Sequence, residues 1–312
     1  MPEDPDNCVP QAVTDFIFDL HDSVTLNQIS EEQQKFYQTT LPDLSLKYFA
    51  STPWPSATSI ASECNGDPLF LAVYREFTHR HWHNVSRPTL ADRLEGWEIY
   101  QNLFDEILDQ PTFLLLPVWV FEILHEFVYQ YQGFCQIRAA VYAAAVKHGM
   151  LDHDGNLTEN EVSSKQNNLM ENVNLLHRNK EAWDAESVFS YLNRLIQLGK
   201  LSGAKPVYTY FALFGSIALS RLECLLGDYM ACLQALDVVH EIQDTVIPRD
   251  ENHTVAQVLA GAFAARVSLA YHAGIAYLQL RRYKDAAKIL MESAGALQRG
   301  FKTGALRQQS GS

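Results

Sequence analysis

The stretch PVYTYFALFGSIALSRLECLLGDYMACLQAL, residues 206–236, decides the fold class of this 312-residue chain. Its first part, to Leu226, is the most apolar stretch of the chain and reads as a long helix. Gly227 and Asp228 interrupt that run, and Tyr229 opens a second apolar segment ending in Ala235 and Leu236. A later segment repeats the pattern: Leu278-Gln279-Leu280-Arg281-Arg282-Tyr283, with Ala286 and Ala287 after it. Leu226, Gly227, Asp228 and Tyr229 thus correspond to a second turn carrying Arg281, Arg282 and Tyr283, each placing a tyrosine between two helices. Both rings are expected to wedge between the helices that flank their turns. The tyrosines stand 54 residues apart, unlike the period of about 34 in a regular helical array. The prediction is an irregular solenoid, in which stacked hairpins bury faces that no single hairpin could cover.

Working outward, helices are expected at 206–226, 229–245, 254–281 and from 283 to about 299, in a tetratricopeptide-like arrangement. Upstream, Asp184 caps a helix carrying Val188, Leu192, Leu195 and Ile196 that closes near Gly199. Pro117 begins a long helix with Phe121, Leu124, Phe127, Val128 and Tyr131. Thr89 with Asp92 opens another, whose bulky face is Leu94, Trp97, Tyr100, Phe104, Ile107 and Leu108. Asp67-Pro68 starts a helix running to about His83, Ser30 with Gln33 resembles a capping box, and Val13, Phe16, Ile17, Leu20 and Val24 recur at helical spacing. Runs of period two bounded by turn residues are missing, so the fold is read as all-α. LDHDGNLTENEVSSKQNN, residues 151–168, is polar and rich in turn formers. It suggests a division into a disordered acidic start (1–10), an N-terminal helical domain (11–149), a polar insertion or linker (150–168), helical repeats (169–300) and a tail (301–312).

Twenty-four basic against thirty-seven acidic residues give a net charge of −13, so the average field repels phosphate backbones and anionic lipid. The basic clusters Arg281-Arg282 with Lys284, and Arg299 with Lys302 and Arg307, are short and read as solvated helix faces. Direct nucleic-acid binding is not expected. The five cysteines lack a CxxC pair and fit reduced, cytoplasmic chemistry as small apolar side chains. The start, MPEDPDNCVP, carries no apolar signal core, so the Asn-x-Ser/Thr matches at Asn84, Asn156 and Asn252 carry no weight. The most apolar stretch is interrupted by Arg221 and Glu223, and no membrane association is expected.

Two constellations invite chemistry. His79 and His83 lie four apart on one helix face, and His125 lies on another helix, which would suit a metal-dependent hydrolase. The zincin pattern needs Glu after its first His, where this chain has Arg80, so half-buried imidazoles are the plainer reading. Asp152, Asp154 and Asn156 match the first half of a calcium loop. Leu157, Glu159 and Ser163 then stand where it needs glycine, an apolar residue and a bidentate Glu. GxSxG, GxxxxGK[ST] and GxGxxG are all missing. The chain reads as a non-enzyme with no cofactor and no metal, built from interaction helices.

An ordered series of motifs runs along the chain. It comprises Phe49 with Thr52-Pro53-Trp54-Pro55, then Asn65-Gly66-Asp67, then Phe70 through Tyr74, Arg75 and Glu76, and Arg80-His81. Pro88-Thr89-Leu90, Asn102-Leu103-Phe104, Leu116-Pro117 with Trp119, and Glu126 through Tyr129 to Gln132 follow. Trp183, the Leu225 to Tyr229 turn and Ala276-Tyr277-Leu278 with Arg281-Arg282-Tyr283 complete it. The series resembles the L-subunit family of eukaryotic translation initiation factor three, and the resemblance implies a scaffold subunit with helical repeats leading into a PCI-type domain, which pairs with the K subunit and contacts the E subunit. It would reach the small ribosomal subunit through the complex. The family continues into a winged helix, whereas this sequence ends in TGALRQQSGS, so the PCI-type domain is expected to be truncated. The proteasome lid and the signalosome share such repeats and remain the alternative assemblies.

Overall fold

The computed structural model describes residues 9–25, 31–109, 113–152, 167–201, 206–242 and 254–303, and every regular element among them is helical. α1 (Gln11–Thr25) buries Val13, Phe16, Ile17, Leu20 and Val24, the face its periodicity predicts. α2 (Glu31–Lys35) passes through a π-helical turn at Phe36–Thr40 into α3 (Leu41–Tyr48). Ser30 lies outside the described residues. Gln33 is buried, and its amide donates to the carbonyls of Ser23 (3.3 Å) and Leu114 (2.9 Å), tying α1 to the chain leading into the long central helix.

After α4 (Ala57–Ile60), the helices α5 (Pro68–Val85), α6 (Leu90–Asp109) and α7 (Pro117–Lys147) start where the sequence places their caps. Asp67 accepts from the backbone N–H groups of Leu69 and Phe70 at 3.0 and 3.2 Å, which satisfies donors that the first turn leaves without intrahelical partners. Thr89 and Asp92 reciprocate: the Asp92 carboxylate accepts from the Thr89 N–H at 2.7 Å, and the Thr89 hydroxyl accepts from the Asp92 N–H at 3.2 Å.

The C-terminal half comprises α8 (Asn167–Arg178), α9 (Ala185–Leu201), α10 (Pro206–Leu226), α11 (Tyr229–Ala235), α12 (Asp237–Ile242), α13 (Val255–Gly261), α14 (Phe263–Gln279) and α15 (Tyr283–Thr303). Two predicted helices are each divided. The 229–245 segment breaks at Leu236, and the 254–281 segment breaks at Ala262, whose ψ of 79° leaves the helical region. α13 and α14 consequently meet at a 96° bend. Apolar periodicity continues on both sides of that bend, so the pattern alone cannot mark it.

α10 is the axis of this half and packs against α7, α9, α11 and α14. α9 ends at Leu201, two residues past Gly199, close to where the sequence places its end. Gly199 lies where α9 crosses α10, and a Cβ there would come within 2.2 Å of the Tyr208 carbonyl oxygen. Gly215 offers the matching recess against Ile196. α10 is long and apolar enough to cross a membrane, but 78% of its apolar window is buried inside the protein, as in a core helix. One hydrophobic core runs from Val13 to Ala273 and takes in helices on both sides of the polar 151–168 segment. Ala145, Met150, Leu151 and Val173 form a small satellite cluster beside it.

Candidate interaction surface

The two matched turns have the same backbone. Gly227 and Arg281 occupy equivalent left-handed positions, with φ of 87° and 61°. The N–H of Asp228 donates to the Glu223 carbonyl at 3.0 Å, and that of Arg282 to the Tyr277 carbonyl at 2.8 Å. The preceding N–H groups of Gly227 and Arg281 reach the carbonyls of Cys224 and Leu278, completing a Schellman-type closure in both. Asp228 then caps α11 by accepting from the Ala231 N–H, whereas the Arg282 side chain pairs with Asp285 and lies over the Tyr277 ring. The tyrosine expectation is corrected here. Tyr283 is 61% exposed and does not wedge between helices, and Tyr229 is half-buried. Once the Schellman bonds and small residues such as Ala286 close the turn, neither hairpin needs a ring for that purpose.

The motif positions upstream mostly serve the core. Trp54 is buried among Phe16, Phe49 and Phe77 and donates its indole N–H to Ser45 at 3.2 Å. Pro55 lends its carbonyl to the Tyr74 hydroxyl at 2.8 Å, while Pro53 is exposed. Trp119 stacks on Tyr37 at 4.5 Å between ring centroids. Trp183 holds a left-handed φ of 53°, packs on Trp97, Tyr100 and Phe127, and donates to the Arg93 carbonyl at 2.7 Å. Tyr129 differs, being 51% exposed on α7.

A polar seam crosses this aromatic core. Glu76 is fully buried on α5, 3.1 Å from the Arg80 guanidinium, and accepts from the Tyr100 hydroxyl at 3.3 Å. Arg80 also pairs with Glu122 of α7, which accepts from the Tyr37 hydroxyl. Burial pushes the Glu76 carboxyl up to about 7, against the pull of Arg80. Further along, His79 meets Gln130 at 3.2 Å, in space left by Gly96, and His83 lies 3.7 Å from the Glu126 carboxylate. Burial, with Arg93 and His79 adding to it, lowers His83 to about 4. His125 is elsewhere: Arg221 of α10 reaches it at 3.1 Å, and burial followed by that guanidinium lowers it to about 4. The three histidines of the hydrolase reading are therefore not brought together, and among the described residues no group of three His, Cys, Asp or Glu could hold a metal ion. The incomplete calcium loop lies largely outside the described residues, at 153–166.

Several large apolar side chains stay exposed around the two turns and along the last helices. Leu225, Leu226 and Met230 are exposed around the first turn, Leu278 and Tyr283 around the second, and Tyr271 and Met291 along α14 and α15. Reading turns from sequence located Leu225, Leu226, Leu278 and Tyr283. It passed over Met230, Tyr271 and Met291, whose only signal is an apolar residue off the buried stripe of its helix.

The family described as RNA polymerase I-associated factor PAF67 matches residues 92–311, most of the chain. The chain belongs to the PAF67 family. Among its curated relatives is "Eukaryotic translation initiation factor 3 subunit L" of Nematostella vectensis, 30% identical over 302 residues, covering 90% of this chain and 50% of that protein. Proteins of the same name from Aedes aegypti and Gallus gallus are each 29% identical, over 290 residues (85% of this chain, 48% of that protein) and 283 residues (82% and 43%). The chain spans about half the length of the curated relatives it matches. Both Schellman turns and the exposed apolar residues around them fall within the PAF67-family match, as do Trp119, Tyr129 and Trp183. The buried Glu76 and Arg80 pair and the histidines at 79 and 83 precede it.

Proposed function

We propose that this chain is a non-catalytic scaffold subunit of the eukaryotic translation initiation factor three complex. It would support assembly on the small ribosomal subunit through protein–protein contacts in the cytoplasm. The observation that carries this reading is the set of exposed apolar side chains around the two matched turns. Such surface suits burial against neighbouring helices, and the name shared by the curated relatives supplies the assembly. Other subunits of that factor are the proposed partners, chiefly K and E. The ribosome would be reached through them, since a net charge of −13 gains little from counterion release on RNA. The histidines disfavour a hydrolase, because His125 pairs with Arg221 while His79 and His83 face Gln130 and Glu126.

Affinity purification of the tagged chain, with ribonuclease and with a fourfold rise in salt, tests the proposal. Initiation-factor subunits should remain bound under both treatments, because screening weakens phosphate contacts far more than apolar burial. Release by ribonuclease alone would make RNA the tether. Proteasome-lid or signalosome subunits in their place would assign the chain to another complex.

A further inference from the structure

Cys224 lies in the last turn of α10 and Cys232 in α11, eight positions apart across the Gly227 turn. Both sulfurs approach one acceptor, the His272 carbonyl oxygen of α14, each at 3.8 Å, so they meet at a single atom from opposite sides of the turn. Cys232 is fully buried and touches the Ser220 hydroxyl at 3.2 Å, whereas Cys224 is half-buried. The other described thiols lack such a neighbour: Cys64 donates to the carbonyls of Ile60 and Ala61, and Cys135 contacts Arg138.

We propose that Cys224 and Cys232 form a disulfide on oxidation by a peroxide, fixing the α10–α11 hairpin over α14. The shared acceptor atom keeps both sulfurs in one small space, from which they have to close to the ~2 Å of an S–S bond. The half-buried Cys224 reacts first. Its thiolate attacks one peroxide oxygen, the O–O bond breaks, and a sulfenic acid forms as the other oxygen leaves as water. Cys232 then attacks that sulfenic sulfur. The S–S bond forms, the S–O bond breaks, and the departing hydroxide takes the Cys232 proton as a second water. Two thiols are oxidised and one peroxide is reduced.

The environment sets the character of this pair. Burial raises both thiols, Cys232 to about 11, so the reactive thiolate is scarce and oxidation is slow. The same burial denies the reduced pair thiolate stabilisation, which gives the disulfide a low potential and makes it persistent once formed. The hairpin it fixes carries the exposed Leu225, Leu226 and Met230. Oxidation would therefore hold the proposed docking edge in one geometry.

The test treats the folded, reduced chain with hydrogen peroxide, alkylates the remaining thiols and cleaves after acidic residues. Cuts at Glu223 and Asp228 place the two cysteines on separate fragments. These fragments should be recovered joined within one chain, separate on addition of reductant, and fail to join in Cys224→Ser. Their recovery unjoined, each alkylated or carrying sulfinic acid, would overturn the proposal, as would disulfides joining two chains. If Cys224→Ser disturbs folding, the native chain decides by its thermal midpoint. A rise on oxidation that reductant reverses supports the intramolecular link, and an unchanged midpoint counts against it.

Discussion

At His83 a single side chain converts burial into pH dependence. It faces Arg93 and Asp92 at the start of α6, His79 on its own helix and Glu126 on α7, and its pKa falls to about 4. The folded protein therefore holds His83 neutral through a range in which the unfolded chain protonates it. The stability this contributes is present above the ordinary histidine value of about 6.5 and is lost as pH falls toward 4. Glu76, raised to about 7, acts with opposite sign, since its folded form keeps a proton that the unfolded chain has released. Comparing wild type with His83→Gln isolates the imidazole. Chemical denaturation should show wild type losing about 2 kcal/mol relative to the variant between about pH 7 and pH 5. Parallel pH profiles would mean that the ring is protonated inside the fold. Sequence made His79 and His83 visible as a pair on one face, but their partners Gln130 and Glu126 lie about fifty residues away and are supplied by packing.

Among the elements, two glycine-related positions make opposite predictions. Gly199 sits at the α9–α10 crossing with the Tyr208 carbonyl and the Ala212 methyl within 2.5 Å of any added Cβ. Backbone cannot move aside as a flexible side chain can, so Gly199→Ala should lower stability by about 1 to 3 kcal/mol. An unchanged unfolding midpoint would show that the helices slide apart freely. Arg281 occupies the left-handed site that glycine fills in the other turn, and it is exposed. Arg281→Gly should raise stability by about 1 kcal/mol, because glycine accepts positive φ without steric cost. A loss of stability would mean that the arginine makes a contact that outweighs the strain. Helix starts were legible because Asp67-Pro68, Thr89 with Asp92, and Pro117 act locally. The breaks at Leu236 and Ala262 were not, because no proline marks them and the apolar pattern continues past them.

Across the whole molecule, the core is continuous where the composition suggests a boundary. α7 precedes the polar segment and α9 and α10 follow it, yet α7 packs on α10 and α6 on α9. Tyr191 of α9 also donates to Asp105 of α6 at 3.2 Å, and Arg221 of α10 reaches His125 of α7. Folding either half alone would expose the apolar faces they share. Differential scanning calorimetry should therefore show one cooperative transition. Two separable transitions would mean that the interface is too weak to couple the halves.

The sequence by itself determined that this chain is helical, where most helices begin, and that two turns near 227 and 281 are related. Capping, proline placement and apolar spacing act over a few residues, so they are written where they operate. Only the tertiary structure decided which of the conspicuous residues are buried. It placed Trp54, Trp119 and Trp183 in the core, left Tyr129 and Tyr283 at the surface, and brought Cys224 and Cys232 together over His272. An aromatic ring is equally apolar in either place. What fixes its exposure is whether another helix lies against it, and that depends on crossings set by contacts such as Gly199 against Tyr208.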